Sequence, residues 1–320
     1  MKYTCTKDDI ILIAGTGKLT YSIVTCLMQA GHPVSLITED RDSATAYIRE
    51  HWGDLSDPKQ KGILRKLEVQ NSLRTKSAHK IAIAVTDEDV ACKRFLLEEL
   101  ENILPSDAII AINNESFRLT DLQKNCQSPE RVIGLNWAYP AHTTFFLELN
   151  ANEKTDQCAA RALLNLARTN WNKDPYVISN DLSIRAKMFS AMAREAFFLV
   201  ENGYASIEDI DRACRNDPGY YLPFAGNCRY IDLMGTYAYG IVMKGLNPEL
   251  SKDSEVAHFM KTTISEENLG MENGKGFYEY ENGDSDRWNE IFRKFSVQIH
   301  EIIKKYPFDH KNLNSHSPLQ

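Results

Sequence analysis

The chain has 320 residues, 43% apolar and 25% charged, with a formal charge of −7; this is an ordinary globular composition with length for about two domains. The acidic balance argues against nucleic acid as the main partner, a local basic patch aside, and no apolar run approaches the ~20 residues that span a bilayer. Seven cysteines without a CxxC pair and eight histidines without ligand spacing predict a cytoplasmic protein with reduced thiols and no bound metal.

In chain order, IILIAG (residues 10–15) is a β-branched run that reads as a buried strand. It is too short for a signal segment and follows Asp8 and Asp9. Leu19, Ile23, Val24 and Leu27 then recur at helical spacing. Between strand and helix lies AGTGKL, the context a dinucleotide loop requires. Gly15 permits the tight turn. Gly17 lets the backbone approach a pyrophosphate resting against the helix N-terminus. Thr16, Lys18 and Leu19 complete the loop. The usual third glycine is Thr20, which adds bulk where the helix packs on the sheet. PVSLIT (33–38) is a second strand, and Glu39 after it stands roughly twenty residues past the loop, where an acid holds the ribose hydroxyls of NAD. Arg41 leaves a 2′-phosphate, hence NADP, as the alternative.

Further strands are IAIAV (81–85), AIIAI (108–112), RVIGL (131–135), TFFLELN (144–150) and PYVIS (175–179). Helical patterns such as EDVACKRFLLEELENIL separate several of them. This alternation predicts an α/β Rossmann domain, a mostly parallel, doubly wound sheet covered on both faces. After Asp181 the pattern becomes helical. SIRAKMFSAMAREAFFLVENG is a long helix ended by Gly203, and Ser206 is an N-cap with Asp209 three residues on. Met and Phe at helical spacing in the long helix mark core or interface. NGDSDRW is a polar break before a final amphipathic helix, WNEIFRKFSVQIHEIIKKY, and a polar tail at 309–320. The expected layout is a nucleotide-binding domain at 1–182, an all-α domain at 183–281, and a C-terminal helix with tail at 282–320.

Three segments carry a family resemblance. ENGYASIEDIDRAC with the later DLMG, then GMENGKGFYEY, and GLNWAYPAHTTFFLELN with Pro140 and Glu148 in register, resemble motifs of the L-3-hydroxyacyl-CoA dehydrogenases, the L-gulonate dehydrogenase (lambda-crystallin) branch included. The resemblance runs from residue 10 to about residue 280. It implies a Rossmann domain followed by an all-α dimerisation domain, NAD as cofactor, and oxidation of a 3-hydroxyacyl-CoA or related hydroxy acid in fatty acid metabolism. Glu88, Lys93 and Asn113 match family positions near the nicotinamide ribose. The catalytic positions depart from the pattern. Asn136 stands in place of the general-base histidine, and Glu148, which orients that histidine, is kept. Glu115 replaces a substrate-contacting serine, and Ala186 a substrate-binding asparagine. Residues 40–80 are shorter than the helical hairpin that helps hold coenzyme A.

An amide cannot accept the proton that leaves a hydroxyl as hydride departs; a neutral histidine can. Glu115 reads either as a base for other chemistry or as a solvated loop acid. His142 is a substitute base only if it is not structural, and the structural reading is the stronger. Two functions follow. One is an NAD-dependent oxidoreductase, acting on an acyl-CoA or hydroxy acid, with impaired or altered activity. The other is a catalytically inactive homologue acting as a ligand-binding or assembly protein.

Overall fold

The computed structural model describes Tyr3 and residues 5–55, 63–72, 76–179 and 181–308. It divides into two compact units, residues 1–187 and 188–320. The polar tail expected at 309–320 lies outside the described residues.

The first unit is built on one eight-stranded sheet. Its strands are β1 (Ile11–Ala14), β2 (Val34–Ile37), β3 (Leu67–Gln70), β4 (Ile81–Ala84), β5 (Ile109–Ile112), β6 (Val132–Trp137), β7 (Leu147–Asn150) and β8 (Tyr176–Ile178). They lie in the order β3-β2-β1-β4-β5-β6-β7-β8. All neighbours pair in parallel except β6 and β7, where Asn136 lies opposite Glu148. β1, β4 and β5 are buried on both faces, which is why they read as unbroken apolar runs. The helices are α1 (Lys18–Gln29), α2 (Arg41–His51), α3 (Val90–Ile103), α4 (Leu119–Gln123) and α5 (Gln157–Asn170). Ile23, Val24 and Leu27 of α1 join the core on one side of the sheet; Leu97 and Leu100 of α3 join that on the other. β3 is a half-exposed edge strand carrying Glu68 and Gln70, and α2 buries only Ala44, Ile48 and His51, so neither shows a strong apolar period.

α6 (Ile184–Glu201) starts in the first unit and runs into the second. The second unit holds α7 (Ile207–Asn216), α8 (Pro218–Met234), α9 (Thr236–Leu246), α10 (His258–Ser265) and α11 (Asp284–Lys305). Ser206 and Asp209 form a full capping box at the start of α7. Gly203, with φ 69°, follows the end of α6 in the left-handed region. The final helix begins at Asp284, earlier than the polar break suggested. Asp284 and Asp286 suit the positive end of the helix dipole, so their polarity starts the helix rather than interrupting the chain. Phe197, Phe259 and Phe277 pack together with ring centroids 5.2–5.8 Å apart. Beyond this cluster the unit leaves many apolar side chains exposed: Phe189 is 65% and Tyr237 83% exposed, and α6 buries none of its residues.

Candidate active site

The glycine loop connects β1 to α1 at the carboxyl edge of the sheet. Gly15 has φ 155°, and a Cβ there would stand 2.3 Å from the carbonyl oxygen of Val85, so no other residue fits against β4. Gly17 is the N-cap of α1, with φ 95° and no side-chain cap, and a Cβ added to it would meet nothing within 4 Å. The Cβ position of Gly17 thus borders open space beside the uncapped N-terminus of α1, the kind of place where a pyrophosphate binds. Thr16, Gly17 and Lys18 are exposed, and Leu19 is half-buried. Thr20 Oγ1 donates 3.1 Å to the Thr16 carbonyl, so the hydroxyl that replaces the third glycine is satisfied within the helix. Glu39 is exposed just past β2. Its neighbour Asp40 caps α2, accepting from Ser43 N at 3.0 Å.

Past β4, Glu88, Lys93 and Asn113 gather around Thr86. Asn113 Oδ1 accepts from Thr86 N at 3.0 Å, and its Nδ2 donates to Thr86 O at 2.9 Å and to Glu88 Oε1 at 3.2 Å. Lys93 Nζ lies 3.1 Å from Thr86 Oγ1 and 3.3 Å from Glu88. Its side chain is fully buried; burial pushes its pKa down, and Glu88 opposes the shift. Two spatial links joining these residues, β4 to β5 and Glu88 to Lys93, follow from the fold. Thr86, at their centre, carried no sequence signal.

On β6 and β7, Asn136 and Glu148 are both fully buried. Asn136 Nδ2 donates to Glu148 Oε1 at 2.9 Å, and Asn136 Oδ1 accepts from Asn114 N at 2.8 Å. Glu148 Oε2 accepts from Tyr176 OH and from Ile184 N, each at 2.9 Å, with Arg185 N at 3.5 Å. The carboxylate thus rests on the first N–H groups of α6, where the helix dipole favours an anion. Burial, then Glu148, push the Tyr176 phenol up, so it stays a donor. Replacing Glu148 by Ala leaves these donors without an acceptor; we expect a loss of about 3 kcal/mol, seen as a fall in Tm. An unchanged Tm would contradict the role of Glu148 as the cap of α6.

Glu115 is not a freely solvated loop acid. It forms an ion pair with Arg185, whose guanidinium also lies 5.8 Å from the Phe146 ring centroid. Burial pushes the Glu115 pKa up, Arg185 opposes it, and Glu88 and Glu148 add to the rise. Ala186 offers only its backbone, whose N–H donates 3.0 Å to Ser183 Oγ. His142 turns elsewhere: its Nε2 meets Asp54 Oδ2 at 2.9 Å and its side chain is fully buried. Asn114, Tyr176 and Arg185 were absent from the sequence reading. Asn114 adjoins Asn113, but nothing in the chain's pattern pairs Arg185 with a residue seventy positions earlier.

The family model for the NAD-binding domain of 3-hydroxyacyl-CoA dehydrogenase matches residues 10–182, and that for the C-terminal domain matches residues 184–280. The chain belongs to the 3-hydroxyacyl-CoA dehydrogenase family. A probable 3-hydroxybutyryl-CoA dehydrogenase of Bacillus subtilis is 23% identical over 85% of this chain and 97% of its own length. The 5-formyl-3-hydroxy-2-methylpyridine 4-carboxylate 5-dehydrogenase of Mesorhizobium japonicum is 27% identical over 202 residues, which are 62% of this chain and 65% of that protein. A crystal structure of an enzyme of that name, an NAD+-dependent dismutase, shares the fold with a TM-score of 0.84 over 93% of this chain and 99% of its own, at 22% identity. The Rossmann unit and the helical unit after it are those of 3-hydroxyacyl-CoA dehydrogenases, and the cofactor of the family domain is NAD. No described helix is long and apolar enough to cross a membrane.

Proposed function

We propose that the protein is an NAD(H)-binding 3-hydroxyacyl-CoA dehydrogenase homologue in which oxidation of a 3-hydroxyacyl-CoA or related hydroxy acid is strongly impaired. The observation that carries this is the state of Asn136. Its amide is fully buried, and both its oxygen and its nitrogen are engaged, to Asn114 N and to Glu148. An amide so held neither accepts a proton nor turns toward a substrate. Bound NAD supplies the hydride acceptor. The residues that would hold it are the loop Gly15–Leu19 for the pyrophosphate, Glu39 for the adenosine ribose, and Glu88, Lys93 and Asn113 for the nicotinamide ribose. The open space at Gly17 supports that assignment. Glu115 and Arg185 would border the substrate, an acyl-CoA or a small hydroxy acid. The names of the relatives span both classes, a butyryl thioester and a pyridine carboxylate. Residues 40–80 are shorter than the helical hairpin that the resemblance implies for holding coenzyme A, which supports the small acid over the thioester.

The second reading is a catalytically inactive ligand-binding or assembly protein. It is favoured by the exposed apolar side chains of the helical unit, among them Met188, Phe189 and Met192 on α6. In either reading we propose a cytoplasmic homodimer formed through that unit. Sedimentation at micromolar concentration is expected to give the dimer, and a monomer alone would refute it. Calorimetry with NADH, NADPH and acetoacetyl-CoA separates the two readings. Binding of NADH together with an acyl-CoA supports the impaired enzyme. Binding of neither leaves the inactive homologue.

A further inference from the structure

We propose that Arg185 is the anchor for the carboxylate of a small hydroxy or keto acid, and that Glu115 holds the guanidinium until such an acid competes for it. The proposal rests on the reading above, in which the site takes a small acid beside NAD(H), and it gives that acid its recognition group. Arg185 Nη1 donates to Glu115 Oε2, and among the described residues this is the guanidinium's one hydrogen bond. A guanidinium carries five N–H groups in a planar fork, so its Nε edge can take a second carboxylate in bidentate fashion. The Arg185 side chain is 42% exposed and that of Glu115 25%, so both reach solvent. Lys93 differs. Its side chain is fully buried and its ammonium is engaged by Thr86 and Glu88, which leaves little for an incoming anion.

The pair stands where a substrate has to lie, and all of it belongs to the first unit. In the reading above Asn113 holds the nicotinamide ribose. The N–H of Asn114 donates to Asn136 Oδ1, and Glu115 is the next residue. From the other side, Ile184 N donates to Glu148 Oε2, and Arg185 N lies 3.5 Å from the same oxygen. Glu115 and Arg185 thus each adjoin a backbone group that fixes the Asn136–Glu148 pair, and their side chains meet each other. Phe146 and Tyr176 supply an apolar flank. Their half-buried rings meet edge to face with centroids 6.0 Å apart, and the Arg185 guanidinium lies 5.8 Å from the Phe146 ring centroid. A cation with an aromatic flank suits a ligand with a charged head and a short apolar body.

A purely structural ion pair is the competing account. Pairs that reach solvent contribute little to stability, because water screens them and two long side chains must be ordered. The start of α6 is already held by Glu148 and by Ser183, whose Oγ accepts from Ala186 N, so the helix does not need the Arg185 side chain to keep its place. Charge separates the two accounts. An acid on the Nε edge of Arg185 shares that cation with the Glu115 carboxylate, and the two anions repel. Glu115 therefore keeps the guanidinium in position while weakening the acid's hold on it. Glu115→Gln keeps an oxygen that accepts from Arg185 and loses the negative charge, so it should strengthen the acid's binding. A structural pair gives no reason for that gain.

The test is calorimetric titration of the full chain, alone and loaded with NADH, with acetoacetate and with its neutral amide, acetoacetamide. The wild type is expected to bind acetoacetate about tenfold more tightly than the amide, or better. Arg185→Met keeps the backbone N–H near Glu148 and should weaken acetoacetate by about tenfold or more. Arg185→Lys should restore part of the loss, since it returns the charge without the fork. Glu115→Gln should tighten acetoacetate severalfold, with the amide unchanged. No acetoacetate binding to the wild type, equal affinity for acid and amide, or an affinity unchanged in Arg185→Met would overturn the proposal. So would weaker acetoacetate binding in Glu115→Gln. Failure of NADH to bind would refute the reading of the cofactor site alone, because the acid and amide titrations of the unloaded chain still decide the role of Arg185. The comparison of acid with amide uses the wild type, so it stands even if a variant does not fold.

Discussion

With acetoacetyl-CoA and NADH, the wild-type protein is expected to turn over about 10²–10⁴-fold more slowly than a member with the histidine base, the usual contribution of a general acid–base group. In the reducing direction the keto carbon takes hydride from NADH while its oxygen must receive a proton. Asn136 has none to lose, and its donor hydrogen bond goes to Glu148. Substituting Asn136→His alone should recover little. The imidazole would gain Glu148 as an orienting partner, but the Asn114 N–H would lose the acceptor it now has. Beyond it, the Glu115–Arg185 ion pair would still border the substrate where the resemblance implies a serine. Adding Glu115→Ser removes that carboxylate and should recover more. A wild-type rate in the ordinary family range would show that another group handles the proton. His142 is a poor candidate for it, because its ring is buried against Asp54 and His51. Glu115 would then be tested first, by Glu115→Gln.

What the sequence made legible follows from how each feature is encoded. β1, β4 and β5 are buried on both faces, and burial writes itself as an apolar run. The capping box at Ser206 and Asp209 is local, so three residues suffice to read it. β3 and α2 escaped because their burial is partial, and the start of α11 was misread because acidic residues both break and cap helices. The facing of Asn136 and Glu148 was legible only through the resemblance; the structure adds that the pair sits in register across β6 and β7. The third partner, the N-terminus of α6, and the Glu115–Arg185 pair depend on chain-distant approach. The same holds for His51, Asp54 and His142, which converge from positions three and eighty-eight residues apart.

The second large effect concerns the cofactor. Gly17→Val is expected to lower NADH affinity by more than about 100-fold, on the order of 3 kcal/mol. The reason is steric and local. A Cβ at Gly17 meets no protein atom within 4 Å, so the valine side chain would project into the space before the α1 N-terminus. A pyrophosphate bound to those N–H groups needs that space. The backbone at φ 95° and ψ 173° is also one that only glycine adopts readily, so the unliganded variant should lose about 1–3 kcal/mol of stability. Gly15→Ala separates the two causes. Its Cβ would stand 2.3 Å from the Val85 carbonyl oxygen, inside the protein and not in the ligand space, so its main effect should be on Tm. Calorimetric titration of folded Gly17→Val with NADH reads the affinity apart from the stability. An affinity equal to that of the wild type would mean that the pyrophosphate does not lie on this loop, and the assignment of Gly15, Thr16, Gly17, Lys18 and Leu19 to the cofactor would fail with it.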